Sequence, residues 1–343
     1  MDRFLKQQDV LADLINMHSA TLFSNMQKMD TSSLGMPDYC LHYFKASHAK
    51  RLFFSIETSA HLLYNAIRLT GKQPSEIIIM DYGAGVGTLY LLAKMIGCNK
   101  VVYSDHLDDW RMSAQLIAEA LNIQIDHYIV GDIDDCLNRL ALLQFKCAII
   151  TSRNVIEHIY KLDQFYAAIH KRQPQAIVYS STTANKQNPA AVVKHIIWHR
   201  KWERVYRGMR SVVIQRQAPG LSGTKVHALA VATRGLAGTD LKEAVEEYRR
   251  KGKKPNPSIY GSNTCDPSNG VWAEHLLSKK EYSQLINEEN YHIQFSPGFW
   301  DTHYAKSYLN LAGKLMNRII AAGGKKALVL APFMYVIAIA DRK

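Results

Sequence analysis

The chain predicts an α/β fold built on a doubly wound, mostly parallel sheet, and three observations carry that expectation. Ile77 to Leu92 runs from a continuous apolar strand through the turn Gly83-Ala84-Gly85-Val86-Gly87 into an apolar helix. From Ile77 to Ser181, strand-like and helix-like segments alternate, the pattern of parallel strands covered on both faces. Sheet-like apolar runs then return late, at Tyr291 to Ser296 and at Ala327 to Ala340. In a sheet of this kind a ligand binds at the carboxyl ends of the strands.

Residues 1 to about 70 read as a helical layer, with apolar side chains at helical intervals through Phe4, Val10, Leu11, Leu14 and Ile15, then Leu52, Phe53, Ile56, Leu62, Leu63 and Ile67. Met1 to Phe23 lacks a continuous apolar stretch and is expected to be an amphipathic helix, not a signal peptide. Gly71 to Pro74 ends that layer. Strands are expected near 77–81, 101–105, 126–130, 147–151 and 175–181, with helices near 87–96, 110–121, 134–143 and 161–171. The rhythm breaks after Ser181. An insertion of about a hundred residues then precedes the two closing strands, which a helix near 303–322 would join. The expected divisions are 1–74, a helical cap; 75–184, the nucleotide-binding core; 185–285, a basic insertion forming an acceptor-binding or lid region; and 286–343, the closing strands.

Gly83, Gly85 and Gly87 let the backbone turn sharply and bring a ligand close to main-chain N–H groups. A dinucleotide fingerprint would place a third glycine or alanine where Thr88 stands. The run is instead Asp-x-Gly-x-Gly-x-Gly, and it resembles motif I of the class I S-adenosylmethionine (SAM) dependent methyltransferases of small-molecule type. That resemblance implies a seven-stranded sheet with an antiparallel last strand, and a large insertion between strands five and six. It also implies SAM as cofactor and S-adenosylhomocysteine as product, with Asp81 beside the amino-acid end of the cofactor and Gly83, Ala84, Gly85 and Gly87 cradling it. Val101 to Asp105 is similar to the family's second strand, so Asp105 would bind the ribose diol, with His106 next to it. Ile125 to Ile133 resembles the third, which gives Asp132 the adenine amine and Ile133 the ring face. Cys147 to Ile159 resembles the fourth strand and the segment after it, adding Asn154 to the cofactor residues and ending in the pair Glu157-His158. Leu277 to Ile293 resembles the helix before the sixth strand, with Asn290 where a glycine usually ends the helix; asparagine tolerates the left-handed conformation needed there.

Blander alternatives stand beside several of these assignments. The glycines also fit a plain βα turn, Asp105 and Asp132 also fit solvated residues or helix caps, and His158 also fits a helix-start histidine satisfied locally. Methyl transfer from a sulfonium is an in-line displacement, so alignment and exclusion of water can supply most of the catalysis. An alcohol or phenol acceptor also needs a base; His158 is the first candidate, with Glu157 as its orienter, and His199 and His303 are alternatives. Asp108, Asp109, Asp134 and Asp135 are read as surface acids, and no metal is expected. The stretch Asn263 to Glu274 and the stretch Ser296 to Asp301 fit either structural loops or walls of the acceptor pocket.

With 343 residues, 47% hydrophobic and 21% charged, the chain can bury a large core. Its longest apolar run, Ala327 to Ala340, is too short for a membrane span and is broken by Pro332. Five cysteines form no zinc spacing and fit reduced thiols in a cytoplasm. Residues 185–260 carry sixteen lysines and arginines against five acids, almost the whole excess of the chain's +12. Between Lys194 and Arg210 bases interleave with aromatics, which suits an anionic small-molecule or lipid-linked acceptor, nucleic acid, or simply a helix with solvated charges. An RNA methyltransferase docking through this insertion is therefore an alternative. No amino-group motif of the Asn-Pro-Pro-Tyr kind follows the fourth strand, where Ser152-Arg153-Asn154-Val155 stands. A third alternative is a protein that holds SAM or its product without turnover.

Overall fold

The computed structural model describes residues 3–287 and 290–340. Its first helices are α1 (Val10–Lys28), the short α2 (Asp38–Tyr43) and α3 (Leu52–Thr70). Helix α1 starts later than the apolar pattern suggests. Asp9 caps it by accepting the Ala12 N–H at 2.9 Å, which leaves Val10 88% exposed while Phe4 and Leu5 are buried ahead of the helix. The expected Met1 to Phe23 helix is thus corrected to one beginning at Val10; Met1 and Asp2 lie outside the described residues. Periodicity misled here because Phe4 is buried from an extended lead-in, against Phe23 and Phe53.

Strand and helix then alternate through β1 (Ile78–Tyr82), α4 (Leu89–Met95), β2 (Lys100–Asp105), α5 (Asp108–Ala120), β3 (His127–Val130), α6 (Ile133–Leu142), β4 (Ile149–Arg153), α7 (Leu162–Arg172) and β5 (Ile177–Thr182). Neighbouring residues on these strands feed opposite cores. Ile79, Val101 and Ile149 pack with α1, α3 and α4 on one face, while Met80, Val102 and Ile150 pack with α6 and α7 on the other. This is why the strands read as continuous apolar runs instead of alternating ones.

The insertion is helical, with α8 (Pro189–Gln217), α9 (Gly223–Ala232) and α10 (Gly238–Lys251) around a small core of their own that includes Ile214, Leu229 and Leu241. Then come α11 (Lys279–Ile286), β6 (Tyr291–Pro297), α12 (Ser307–Gly323) and β7 (Met334–Ala340). Two expectations are corrected here. Residues Gly324–Val329 form a 3-10 turn, so the closing strand starts only after Pro332, at Met334, and not at Ala327. The left-handed residue after α11 is Asn287, with φ 66°, and not Asn290.

Among the described residues the sheet has seven strands in the order β3-β2-β1-β4-β5-β7-β6. The first five are parallel, with Asp81 in register with Tyr103 on one side and Thr151 on the other. β7 runs antiparallel to both β5 and β6. The order reverses at β1 and β4, and this is the class I methyltransferase fold. The switch point places the carboxyl ends of β1, β2 and β4 around one crevice.

Candidate functional site

One wall of the crevice is the turn after β1. Gly83 and Gly85 have φ of 66° and 50°, backbone that other residues adopt at a cost. A Cβ on Gly83 would also lie 2.6 Å from Cγ2 of Val155, so the turn is pressed against the segment after β4. The Gly85 N–H donates to Oδ2 of Asp105 at 3.0 Å, and Ala84 N–H donates to Ser104 O. Gly87 N–H closes the turn on Ala84 O. Asp105 is only 4% exposed; its Oδ1 accepts the Leu107 N–H and lies 3.1 Å from Nδ1 of His106. That hydrogen bond raises the His106 pKa above its ordinary value.

Asp81 is buried below the turn, where Oδ2 accepts the Tyr90 N–H and Oδ1 the Thr151 hydroxyl. Burial pushes its carboxyl up to about 7, against the pull of Arg153. At the end of β3, Oδ1 of Asp132 caps α6 by accepting the Asp134 and Asp135 N–H groups. Asp132 is exposed and Ile133 is half-buried against the second core. Asn154 is exposed, with φ 55°, and its N–H donates to Ser181 O at 2.8 Å. Tyr39 and Tyr43, from α2, stack edge-on against Trp110 near this rim.

Sequence reading passed over Arg153. From the end of β4 its Nη1 donates to Ser55 O at 2.7 Å and to Ser59 Oγ at 2.6 Å, and its Nη2 donates to Ser55 Oγ at 3.1 Å. Thr88, at the foot of the glycine turn, shares the network through Ser59 Oγ at 2.9 Å. The guanidinium thus ties α3 to the sheet beside Asp81. A lone arginine ending an apolar strand, followed by Asn154, was the available signal.

The opposite wall brings together residues far apart in the chain. Glu157 is fully buried; its Oε1 accepts the Thr183 N–H at 3.3 Å and its Oε2 has no hydrogen-bond partner. Burial, and next the neighbouring Glu274, hold the Glu157 carboxyl above its usual range. The loop after α10 is zipped onto this segment by Trp272 N–H to His158 O and His275 N–H to Glu157 O at 2.7 Å. His158 Nδ1 returns a bond to Trp272 O at 2.8 Å. Glu274, with φ 65°, completes a group in which one ligand-capable atom each of Glu157, His158 and Glu274 lies within 4.8 Å of the others. His195 Nε2 stands 3.6 Å from Glu274 Oε2, and His199 Nε2 is 2.8 Å from Glu274 O. The structure thus gathers Glu157, His158 and His199. It leaves His303 apart, its ring tilted against Phe53 beside Asp301. Asp108 pairs with Arg111 and Asp134 with Arg172, and Asp135 accepts the Asp132 N–H. A cavity of about 300 Å³ adjoins this wall, lined by Arg51, Phe54, Thr183, Lys194, His195 and Trp300 among others.

No family model matches the chain, and no curated protein matches it. Solved structures match only distantly. A SAM-dependent methyltransferase from Mesorhizobium loti is 12% identical, with a TM-score of 0.37, over 81% of this chain and 97% of its own. Magnesium protoporphyrin IX methyltransferase from Synechocystis PCC 6803, crystallised with SAM, is 18% identical, with a TM-score of 0.30, over 52% of this chain and 77% of its own. Similarities of this size carry no functional argument, and the fold assignment rests on strand order and direction. Among the described residues no helix is long and apolar enough to cross a membrane.

Proposed function

We propose that this protein is a SAM-dependent methyltransferase that moves the sulfonium methyl to an oxygen or nitrogen of a small acceptor, whether an anionic metabolite, a sugar or a lipid-linked molecule, with an anion favoured. The observation that carries this reading is the hydrogen bond from Gly85 N–H to Asp105, which joins a positive-φ glycine turn to a buried carboxylate at the next strand end. SAM needs both: N–H groups and close backbone for its methionine part, and a carboxylate for its ribose diol. In this reading Asp81, Gly83, Ala84, Gly85, Gly87, Asp105, His106, Asp132, Ile133 and Asn154 line the cofactor. Asp132 serves through the oxygen left over from capping α6. The acceptor enters from the 300 Å³ cavity, where Lys194 favours an anion. The helices of residues 1–74 and the insertion 185–285 form a two-part lid over it, in a cytoplasmic protein.

The reaction asks for alignment above all: an acceptor lone pair attacks the methyl carbon in line as the carbon–sulfur bond breaks, and S-adenosylhomocysteine leaves. His158, oriented through Nδ1 by Trp272 O and neighboured by Glu157, is the base of this reading for a hydroxyl acceptor. Calorimetric titration of SAM and of S-adenosylhomocysteine, with Asp105→Ala alongside, tests the assignment. Binding weakened by about 1–3 kcal/mol in the variant is expected. Folded protein that binds neither ligand overturns the reading.

A further inference from the structure

We propose that Glu157, His158 and Glu274, with His195 beside them, form a binding site for one divalent first-row transition-metal ion at the acceptor side of the crevice. Three independent features point there. The first is spacing: metal–nitrogen and metal–oxygen bonds of about 2.0–2.2 Å put two ligands of one ion about 3–4.4 Å apart, and the three candidate atoms lie within 4.8 Å of one another. A small contraction closes the set.

The second is the orphaned oxygen. Glu157 Oε2 is buried without a hydrogen-bond partner, in a residue with no exposure, and a second carboxylate, Glu274, stands beside it. A fully buried carboxylate set against a second, partly exposed one is relieved by a cation or a shared proton between them.

The third is the orientation of the imidazoles. A carbonyl oxygen only accepts, so Nδ1 of His158, against Trp272 O at 2.8 Å, carries a proton, and in the neutral ring the lone pair is then on Nε2. His195 repeats the arrangement, with Nδ1 against Ala191 O at 2.6 Å and Nε2 turned to Glu274 Oε2. In the neutral ring that Nε2 lone pair would face the carboxylate oxygen, and a metal ion between them would be held by both. Metal-ligating histidines characteristically donate their other N–H to a backbone carbonyl in this way. His199 is tied differently, with one nitrogen on Glu274 O and the other on Ser262 Oγ, so it positions the Glu274 backbone and is no ligand.

Mixed imidazole and carboxylate donors favour zinc, iron(II), cobalt(II) or manganese(II) over calcium. The consequence for turnover rests on the methyltransferase reading. An acceptor hydroxyl bound to the ion would lose its proton to solvent more readily; its oxygen would then form the bond to the methyl carbon as the carbon–sulfur bond breaks and the electron pair goes to sulfur. His158 would then be a ligand and would not serve as the base.

The test uses the full chain, stripped with a chelator and dialysed. Cobalt(II) chloride is titrated while visible d–d absorption and calorimetric heat are recorded, on the parent protein and on Glu274→Gln and His158→Gln, each first checked for a parent-like circular dichroism spectrum. One cobalt per chain, bound at least about tenfold more weakly in the variants, supports the site. Cobalt that does not bind to the folded parent, or that binds equally to both folded variants, overturns it. SAM titrated into the metal-free protein separates the two readings: SAM binding without cobalt binding removes the metal site alone, and cobalt binding without SAM binding keeps the site and removes the methyltransferase.

Discussion

The two walls of the crevice differ in how far along the chain their partners lie. On the β1–β2 side, Gly85 meets Asp105 across 20 residues, and every turn residue sits on one strand–turn–helix unit. On the β4–β5 side, His158 meets Trp272 across 114 residues, and Arg153 meets Ser55 across 98. The first wall is built by local backbone geometry, whereas the second exists only once the helical layer and the insertion have docked. A fixed cofactor wall beside an acceptor wall assembled from remote segments allows the acceptor side to vary without disturbing the nucleotide side.

The largest effect should fall on the remote contacts. Arg153→Met removes the buried charged hydrogen bonds to Ser55 and Ser59, whose oxygens then keep only one another, Thr58, Thr88 and His48 as partners. A loss of about 3–5 kcal/mol in urea unfolding is expected. If the loss is below about 1 kcal/mol, the clamp is ornamental and the contrast between the walls fails.

Next is a pH effect on the local wall. Asp81 has an ordinary value of 3.8 and burial raises it to about 7 in the fold. Between these values the native carboxyl keeps a proton that the unfolded chain has released, so its contribution is full below about 4 and is lost as pH rises through about 7. Relative to Asp81→Asn, the parent should lose about 2–4 kcal/mol of stability over that window. A difference independent of pH would place the charge elsewhere. A cofactor ammonium beside Asp81 would favour the ionised form and so release a proton on binding, which calorimetry in buffers of different ionisation enthalpy reads directly.

These two cases also mark how far the sequence could be read. Asp81, the glycines and Asp105 were legible because strand, turn and acid follow one another in the chain. The parallel first five strands followed from the same local rhythm, and the antiparallel closing strand from the resemblance it carried. Glu157 and His158 were visible as a pair. Their partner Glu274 was not, since only docking of the loop after α10 brings it there. Arg153 looked like any base at a strand end, and its partners Ser55 and Ser59 look like ordinary helix residues. The start of α1 and the left-handed Asn287 were misplaced by a few residues, because caps and lead-ins depend on single hydrogen bonds that periodicity does not register.

Gly83→Ala tests where the two walls touch. The added Cβ would sit 2.6 Å from Val155 Cγ2 at a φ of 66°, and a cost of about 1–3 kcal/mol is expected. Because Val155 lies two residues before Glu157, SAM affinity and the acceptor side should both suffer. A substitution that weakens SAM binding alone would show that the walls move independently.

The smallest effect belongs to a local feature on the remote side. Ser278 caps α11 by accepting the Glu281 N–H, while Glu281 accepts the Ser278 N–H and pairs with Lys186. Ser278→Ala should cost about 1 kcal/mol of stability in urea unfolding, the usual worth of such a cap. It should leave SAM affinity unchanged, because α11 packs on α7 and β6, away from the glycine turn. A fall in SAM affinity larger than the fall in stability would mean that strain at the end of the insertion reaches the cofactor wall, and the division between a locally built and a remotely assembled wall would then describe the chain's order but not its energetics.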